Sequence, residues 1–547
     1  MANIYWVGST GTWDTASTDN WASSSGGTGG TGTVPTAVDN VFFDSGSGTP
    51  GTVTMTGSLL CLNLTVSITG WAFATGTAPF LAISGNLALT SGTTWTSTGT
   101  TTFNGTTSQT ITTGATVFAC SFTFNNATGS WALQDDFNTG SANTVTLNRG
   151  TLDLNNYNLN IGRFVSTGTF ARTLAFGTGQ ITLSGSGAVW NTTIATFTVT
   201  GSRVVNVTNP TATASSITCQ NQNNTNSLTY NINAGTYALT TVINNGYNDL
   251  NFTGFSGSWA SGIGGTIYGN LTLSSGMTLT SSTTALTFGA TSGTKTIQTS
   301  NKTLNFDITF NGVGGMWQLQ DSITMGSNRV ITHTNGTLDL NGKTVTVSQS
   351  YTTAAGTKSI TFNGGTLLCT RAISGAFNNA APTGFTTTAG TANGTISMTA
   401  ATAKSFVGGG STYAATLDQG GAGQLTITGS NTFSNITASI ATTSAASILF
   451  TAGTTTSLTT GFDVDGTAAN AITVSSSTAA AHTLSLASGT VVANYLTLSY
   501  STATGGATWL ASKSTDSGNN TGWQFIQGTA VVAIGQGITI GGGVVFS

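Results

Sequence analysis

A long block of this chain occurs twice at an almost constant offset. FNNATGSWALQD at Phe124–Asp135 returns as FNGVGGMWQLQD at Phe310–Asp321, and GTLDLN at Gly150–Asn155 returns at Gly336–Asn341, both offset by 186. TLAF at Thr173–Phe176 aligns with SITF at Ser359–Phe362 at the same offset. Upstream, GNLALTSG at Gly85–Gly92 matches GNLTLSSG at Gly269–Gly276, and ITGW at Ile68–Trp71 matches FTGF at Phe252–Phe255, both offset by 184. Ordinary loops drift in length because extra loop residues cost little. Stacked coils cannot drift so freely, since an insertion in one coil must be looped out without shifting the next. The constancy therefore predicts a repetitive, stacked architecture.

A finer period supports this. The unit T-F-N-G or a near variant recurs at Thr102–Gly105, Thr123–Asn126, Thr309–Gly312 and Thr361–Gly364. Phe103 and Phe124 stand 21 apart in sequence, and Phe288 and Phe310 stand 22 apart. A coil of about 20–25 residues is within the range of solenoid repeats. Inside GTLDLN the alternation places Leu152 and Leu154 inward, with Thr151, Asp153 and Asn155 outward. LTLSS at Leu271–Ser275 and LTIT at Leu425–Thr428 alternate in the same way.

Composition says the coils are strands. Of 547 residues, 116 are threonine and 73 glycine, and all 15 acidic residues are aspartate. A helix-rich chain is hard to build without one glutamate. Threonine suits a pleated, half-buried surface, while glycine and asparagine supply turns. Disorder is the rival reading of a polar, low-complexity chain, but 27 Phe and 11 Trp recurring in order argue for a continuous core. The expected fold is all-β: a parallel β-solenoid (β-helix) with an aromatic-rich N-terminal cap and a short apolar C-terminal tail. The expected organisation is a cap or docking module over 1–50, a first solenoid block over 51–245, its duplicate over 246–400, divergent coils over 401–524, and the tail over 525–547. Trp6, Trp13 and Trp21 mark the cap, which would cover an otherwise bare strand edge.

The charges exclude several roles. Twelve Lys and Arg are spread over the whole chain, with a net charge of −3. That gives no footprint for nucleic acid and no polybasic segment for an anionic membrane. No membrane span is expected either, because the final stretch Ile526–Ser547 reads as an alternating, glycine-rich strand. The opening MANIYWVGSTGTW lacks the basic and apolar regions of a secretory signal, which predicts assembly inside a cell. Cys61, Cys120, Cys219 and Cys369 show no metal-ligand spacing and are expected as buried thiols.

Few residues could carry chemistry. His333 and His482 are far apart in sequence, and His333, in VITHTNG, is expected on an outward strand position as a solvated imidazole. Polysaccharide-cleaving solenoids can combine acids from adjacent coils, so Asp135 with Asp136, Asp463 with Asp465, and Asp153 are candidates for a carboxylate pair. Asp463 and Asp465, in GFDVDG, share a face and could hold calcium or be solvated. Asp321 repeats Asp135 through the duplication alone. The glycine-rich runs GGTGGTG at Gly26–Gly32 and GIGGTIYG at Gly262–Gly269 lack the context of a phosphate loop. The expectation is a non-enzymatic chain with no catalytic residue, no metal, no cofactor and no assignable binding residue.

Three segments carry a resemblance. YWVGSTGTWDTASTDNWASSSGG and VPTAVDNVFFD near the N-terminus, KSFVGGGSTYAATLDQGGAGQLTITGSNTFSNIT, and NYLTLSYSTATGGATWLASKSTDSGNNTGWQF resemble virion-associated β-rich proteins of tailed bacteriophages and related bacterial surface proteins. They cover residues 1–44, 404–437 and 494–525. The resemblance implies a tail fibre, tail spike or capsid-decorating protein with a parallel β-helix, located in the virion after assembly in the host cytoplasm. It implies other virion proteins and host-surface glycans as partners and a homo-oligomer, commonly a trimer in such fibres. It brings no catalytic residues. The chain departs from the pattern by continuing past GWQF with Ile526–Ser547. The alternatives are a glycan depolymerase spike, for which two carboxylates must share a groove, and a bacterial adhesin, for which the chain must be exported.

Overall fold

The computed structural model describes residues 1–192, 196–209, 213–219, 222–242 and 244–526. The expected tail therefore lies, from residue 527 on, outside the described residues; its first residues close the strand Trp523–Ile526. The chain divides into two compact units, Met1–Arg329 with Asn335–Leu338, and Val330–Thr334 with Asp339–Ser547.

In the first unit each coil carries up to three short strands, and each strand pairs in parallel with its counterpart one coil away. One column runs Thr52–Met55, Ala72–Thr75, Thr94–Trp95, Val117–Phe118, Phe137–Thr139, Leu159–Ile161. A second runs Ser58–Cys61, Phe80–Ile83, Thr101–Phe103 and into the long strand Phe122–Leu133. A third runs Leu64–Val66, Leu87–Leu89, Ser108–Thr112 and into the same long strand. The register partners Val53 and Phe73, Leu59 and Leu81, and Leu64 and Leu87 are each one coil apart, at the spacing the phenylalanines predict. The second unit repeats the plan. Thr344–Val347, Thr366–Cys369, Gly394–Met398 and Thr412–Gln419 stack in parallel, as do Phe377–Asn378, Lys404–Val407, Gln424–Thr428 and Ala446–Phe450. Its coils vary more in length: the step from Leu417 to its partner Ile436 is short, and that from Phe377 to Phe406 is long. Among the described residues the only helical element is a 3-10 turn, Ser439–Thr442. Both units are thus parallel β-solenoids.

Strand alternation fills the core. Leu152, Leu154, Leu271, Leu273, Leu425 and Ile427 are all buried, as expected. Aromatic rings meet from coil to coil, alternately edge-on and stacked: Phe43, Phe73, Trp95, Phe118 and Phe137 follow one another at centroid distances of 5.2, 4.7, 5.5 and 5.3 Å. Each such pair adds about 0.5–1.5 kcal/mol beyond burial. At the turns, amides stack instead. Asn40 donates to Asn3 at 2.8 Å and Asn63 donates to Asn40 at 2.6 Å. Asn63 then accepts the Asn86 backbone N–H, and Asn86 accepts that of Thr110.

The first coil is closed differently. Asn3–Trp6 pairs in parallel with Asn40–Phe43 on one side and antiparallel with Trp21–Ala22 on the other. Trp6, Trp13, Trp21 and Phe43 are fully buried, with Trp21 edge-on to Trp6 at 5.1 Å and to Trp13 at 5.3 Å. The aromatic-rich N-terminal segment is therefore a cap on the first parallel rung.

One expectation is overturned. His333 is not an outward, solvated imidazole; it is fully buried. The duplication explains why. His333 occupies the place that Leu147 holds in the first copy, and Ile331 and His333 alternate inward as Val145 and Leu147 do. Gly336, with φ of +87°, then resets the alternation so that Leu338 also points inward.

Candidate functional site

The candidate carboxylates are held by turns. Asp135 accepts the backbone N–H groups of Thr113 and Gly114, both at 2.7 Å, in the preceding coil. Asp321 does the same in the second copy, accepting the Thr299 N–H at 2.7 Å and that of Asn301 at 3.3 Å. Asp136 reaches the other way and accepts the Asn158 N–H at 2.8 Å and its side-chain amide at 3.3 Å. Asp135 and Asp136 thus serve opposite neighbours. Asp153 closes a local turn on the Asn155 N–H. A carboxylate bound by backbone N–H groups satisfies donors that would otherwise be left without partners.

Asp463 and Asp465 do share an exposed face, on either side of buried Val464. They line a shallow hollow of about 280 Å³ with Thr437, Ser439 and Thr442. Within it Asp463 accepts from the Asn435 amide at 2.6 Å, and Asp465 accepts the Asn494 N–H at 2.8 Å and its amide at 3.0 Å. Among the described residues, no three His, Cys, Asp or Glu side chains gather as a metal-ligand group.

Both histidines are core residues. His333 Nδ1 lies 2.5 Å from the Tyr351 hydroxyl, itself buried. His482 stacks on Phe450 at 4.6 Å, and its Nδ1 lies 3.0 Å from Ser476 Oγ. Ser476 Oγ also lies 3.2 Å from Tyr500 O. Burial pulls His482 down to about 4. The four cysteines are free and buried, as expected.

Composition and spacing do not reveal a buried polar cluster in the second unit. Lys404 Nζ donates to the carbonyls of Ala400 at 2.8 Å and of Gly421 and Gly423 at 3.1 Å. Burial lowers this ammonium to about 8, against the pull of nearby Asp418. Asp418 accepts from Ser397 Oγ, Thr437 Oγ1, and both the N–H and Oγ of Ser439. Nearby, Asn379 donates to Gly408 O and to the hydroxyls of Ser411 and Tyr413. The polar residues of KSFVGGGSTYAATLDQGG are thereby mostly internal. A cation in a strand pattern is the signal available, because Lys404 stands where alternation with Phe406 requires an inward side chain.

Two surface hollows of the first unit are uncharged. One, of about 520 Å³, is lined by Thr253, Ser256, Ser274, Ser275, Gln298 and Ser300 among others. A second, about 360 Å³, presents Gln222, Asn244, Asn245, Thr266, Thr284 and Thr287. Neither contains a titratable side chain. A third, about 270 Å³, adjoins the cap and is lined by Trp13, Val34, Pro35 and Leu60 with Asp14. No described helix is long and apolar enough to cross a membrane.

The fold defines a class, the parallel β-solenoids. Beyond that class, no family model, curated protein or solved structure matches the chain.

Proposed function

We propose that this chain is a non-enzymatic structural protein of a bacteriophage virion, a fibre or spike used for attachment to the host surface. The observation that carries the reading is the chemistry of two surface hollows, of about 520 and 360 Å³, which offer hydroxyl and amide groups without a titratable side chain. Such surfaces suit weak contacts with neutral glycan or envelope groups, and repetition along a solenoid converts weak contacts into avidity. The hydrogen bonding of Asp135, Asp136 and Asp321 to neighbouring coils agrees with a structural role for those carboxylates. The resemblance over residues 1–44, 404–437 and 494–525 supplies the virion context.

Immunogold electron microscopy tests the proposal. Label on the tail, with binding of the purified protein to host cells, is the expected result. Label confined to the head makes the chain a capsid-decorating protein, and label absent from virions overturns the proposal. New reducing ends released from host capsule or lipopolysaccharide would replace the fibre with a depolymerase. Sedimentation gives the oligomeric state, for which a homo-oligomer is expected.

A further inference from the structure

The duplicated block provides an internal control on which residues the fold itself requires. At one corner of the first copy, the loop Thr167–Ala171 presents Phe170, a residue that is 47% exposed. The guanidinium carbon of Arg149 sits 3.4 Å from the centroid of that ring. From beneath, buried Arg172 donates through Nη1 to the carbonyls of Gly168 and Phe170. Thr196 Oγ1, one coil on, donates to Phe170 O at 2.5 Å.

The second copy builds the same corner without this pair. Lys358 replaces Arg172 and again donates to turn carbonyls, those of Gly356 at 3.0 Å and Thr383 at 3.2 Å. The counterparts of Phe170 and Arg149, at the same offset of 186, are Gly356 and Asn335. The buried cation is thus kept and the exposed aromatic pair is not. An exposed cation–π contact stabilises only weakly, a small return for an apolar ring left in water.

We propose that Arg149 and Phe170 form a binding site for a carboxylated sugar residue of a surface saccharide. Resting on the attachment reading above, the proposal names a ligand class and a place. The ring area not covered by Arg149 offers an apolar platform for the C–H face of a pyranose. Among the described residues no acceptor takes an N–H of Arg149, so its fork of donors is free for a carboxylate. The carbonyl contacts from Arg172 and Thr196 hold the loop in place before the ligand arrives, which lowers the ordering cost of binding.

The test uses the purified full chain on immobilised oligosaccharides of galacturonate, of glucuronate, and ending in N-acetylneuraminate, each beside its carboxyl-reduced form. Binding to at least one acidic member, weakened on the order of tenfold by carboxyl reduction, is expected. Phe170→Gly and Arg149→Asn, which install the residues of the second copy, should each weaken it by a similar factor at an unchanged melting temperature. Should Phe170→Gly lower that temperature, Phe170→Leu keeps the apolar bulk without the ring and gives the same comparison. Absence of binding to every acidic member, or variants that bind like the parent, overturns the site. Host-cell binding that persists in both variants, with label still on virions, removes this site and leaves the attachment reading standing. Loss of virion label with variant-sensitive acidic binding does the reverse.

Discussion

Gly150 lies so close to the indole of Trp131 that a Cβ at that glycine would stand 3.1 Å from Cζ3 of the ring. The same Cβ would meet the carbonyl oxygens of Asn126 and Gly129 at 2.4 Å, and the residue has φ of +80°. Gly336 and Trp317 hold the same relation at 2.9 Å. Gly150→Ala and Gly336→Ala are each expected to destabilise by about 2–4 kcal/mol, combining left-handed strain with a backbone clash. Chemical denaturation of the full chain measures this. An unchanged midpoint would show that the corner can relax and that the glycines are not required.

The thiols give a second prediction. Burial pushes Cys120, Cys219 and Cys369 up to about 12, and Cys61 is also raised. The thiolate is the reactive form, so the native protein should not react with an aromatic disulfide reagent at pH 8. All four thiols should react after denaturation. Rapid labelling of even one native cysteine contradicts the buried placement.

Acid should loosen the second unit through His482. Its folded value of about 4 lies below the ordinary 6.5, so between those values the unfolded chain binds a proton that the folded one refuses. Stability from this group is full above pH 6.5 and is lost as pH falls towards 4, by up to about 3 kcal/mol. His482→Phe keeps a ring against Phe450 and removes the titration. Unfolding midpoints taken from pH 7 to pH 4 should slope less in the variant; parallel slopes would assign the acid effect elsewhere.

Asp418 should matter for the stability of the fold. Replacing it with Ala strips acceptors from Ser397, Thr437 and Ser439, with a cost of about 3 kcal/mol. Asn, which keeps one carbonyl oxygen, should cost less. Thermal unfolding of the two variants gives the order, and equal stability of Asp418→Ala and the parent would refute the structural role.

Much of this architecture is legible in the sequence because a solenoid writes its geometry into spacing. The offsets of 184 and 186, the regular return of phenylalanine and the inward places of Leu152, Leu271 and Leu425 all follow from alternation and stacking. His333 escapes this logic when read alone, because an imidazole suggests water, whereas its alignment with Leu147 dictates the core. Polarity cannot reveal that Tyr351 waits there to bond it. The roles of Asp135 and Asp136 are equally hidden, since their partners lie about 22 residues away in opposite directions. Candidate pairs chosen by closeness in sequence overlook that a coil sends neighbouring side chains to different coils. The Arg149–Phe170 pair emerges only when the two copies are compared at known exposure.

The hydrogen bonds that build these strands run to the coils on either side. A lone coil therefore has almost no backbone bonds of its own to make, and cannot persist as a helix briefly can. Folding must begin where several turns close together, and in a stack of this kind such a nucleus can form at any point along it. Each later turn then winds onto a template already in place, on whichever side of the nucleus it lies.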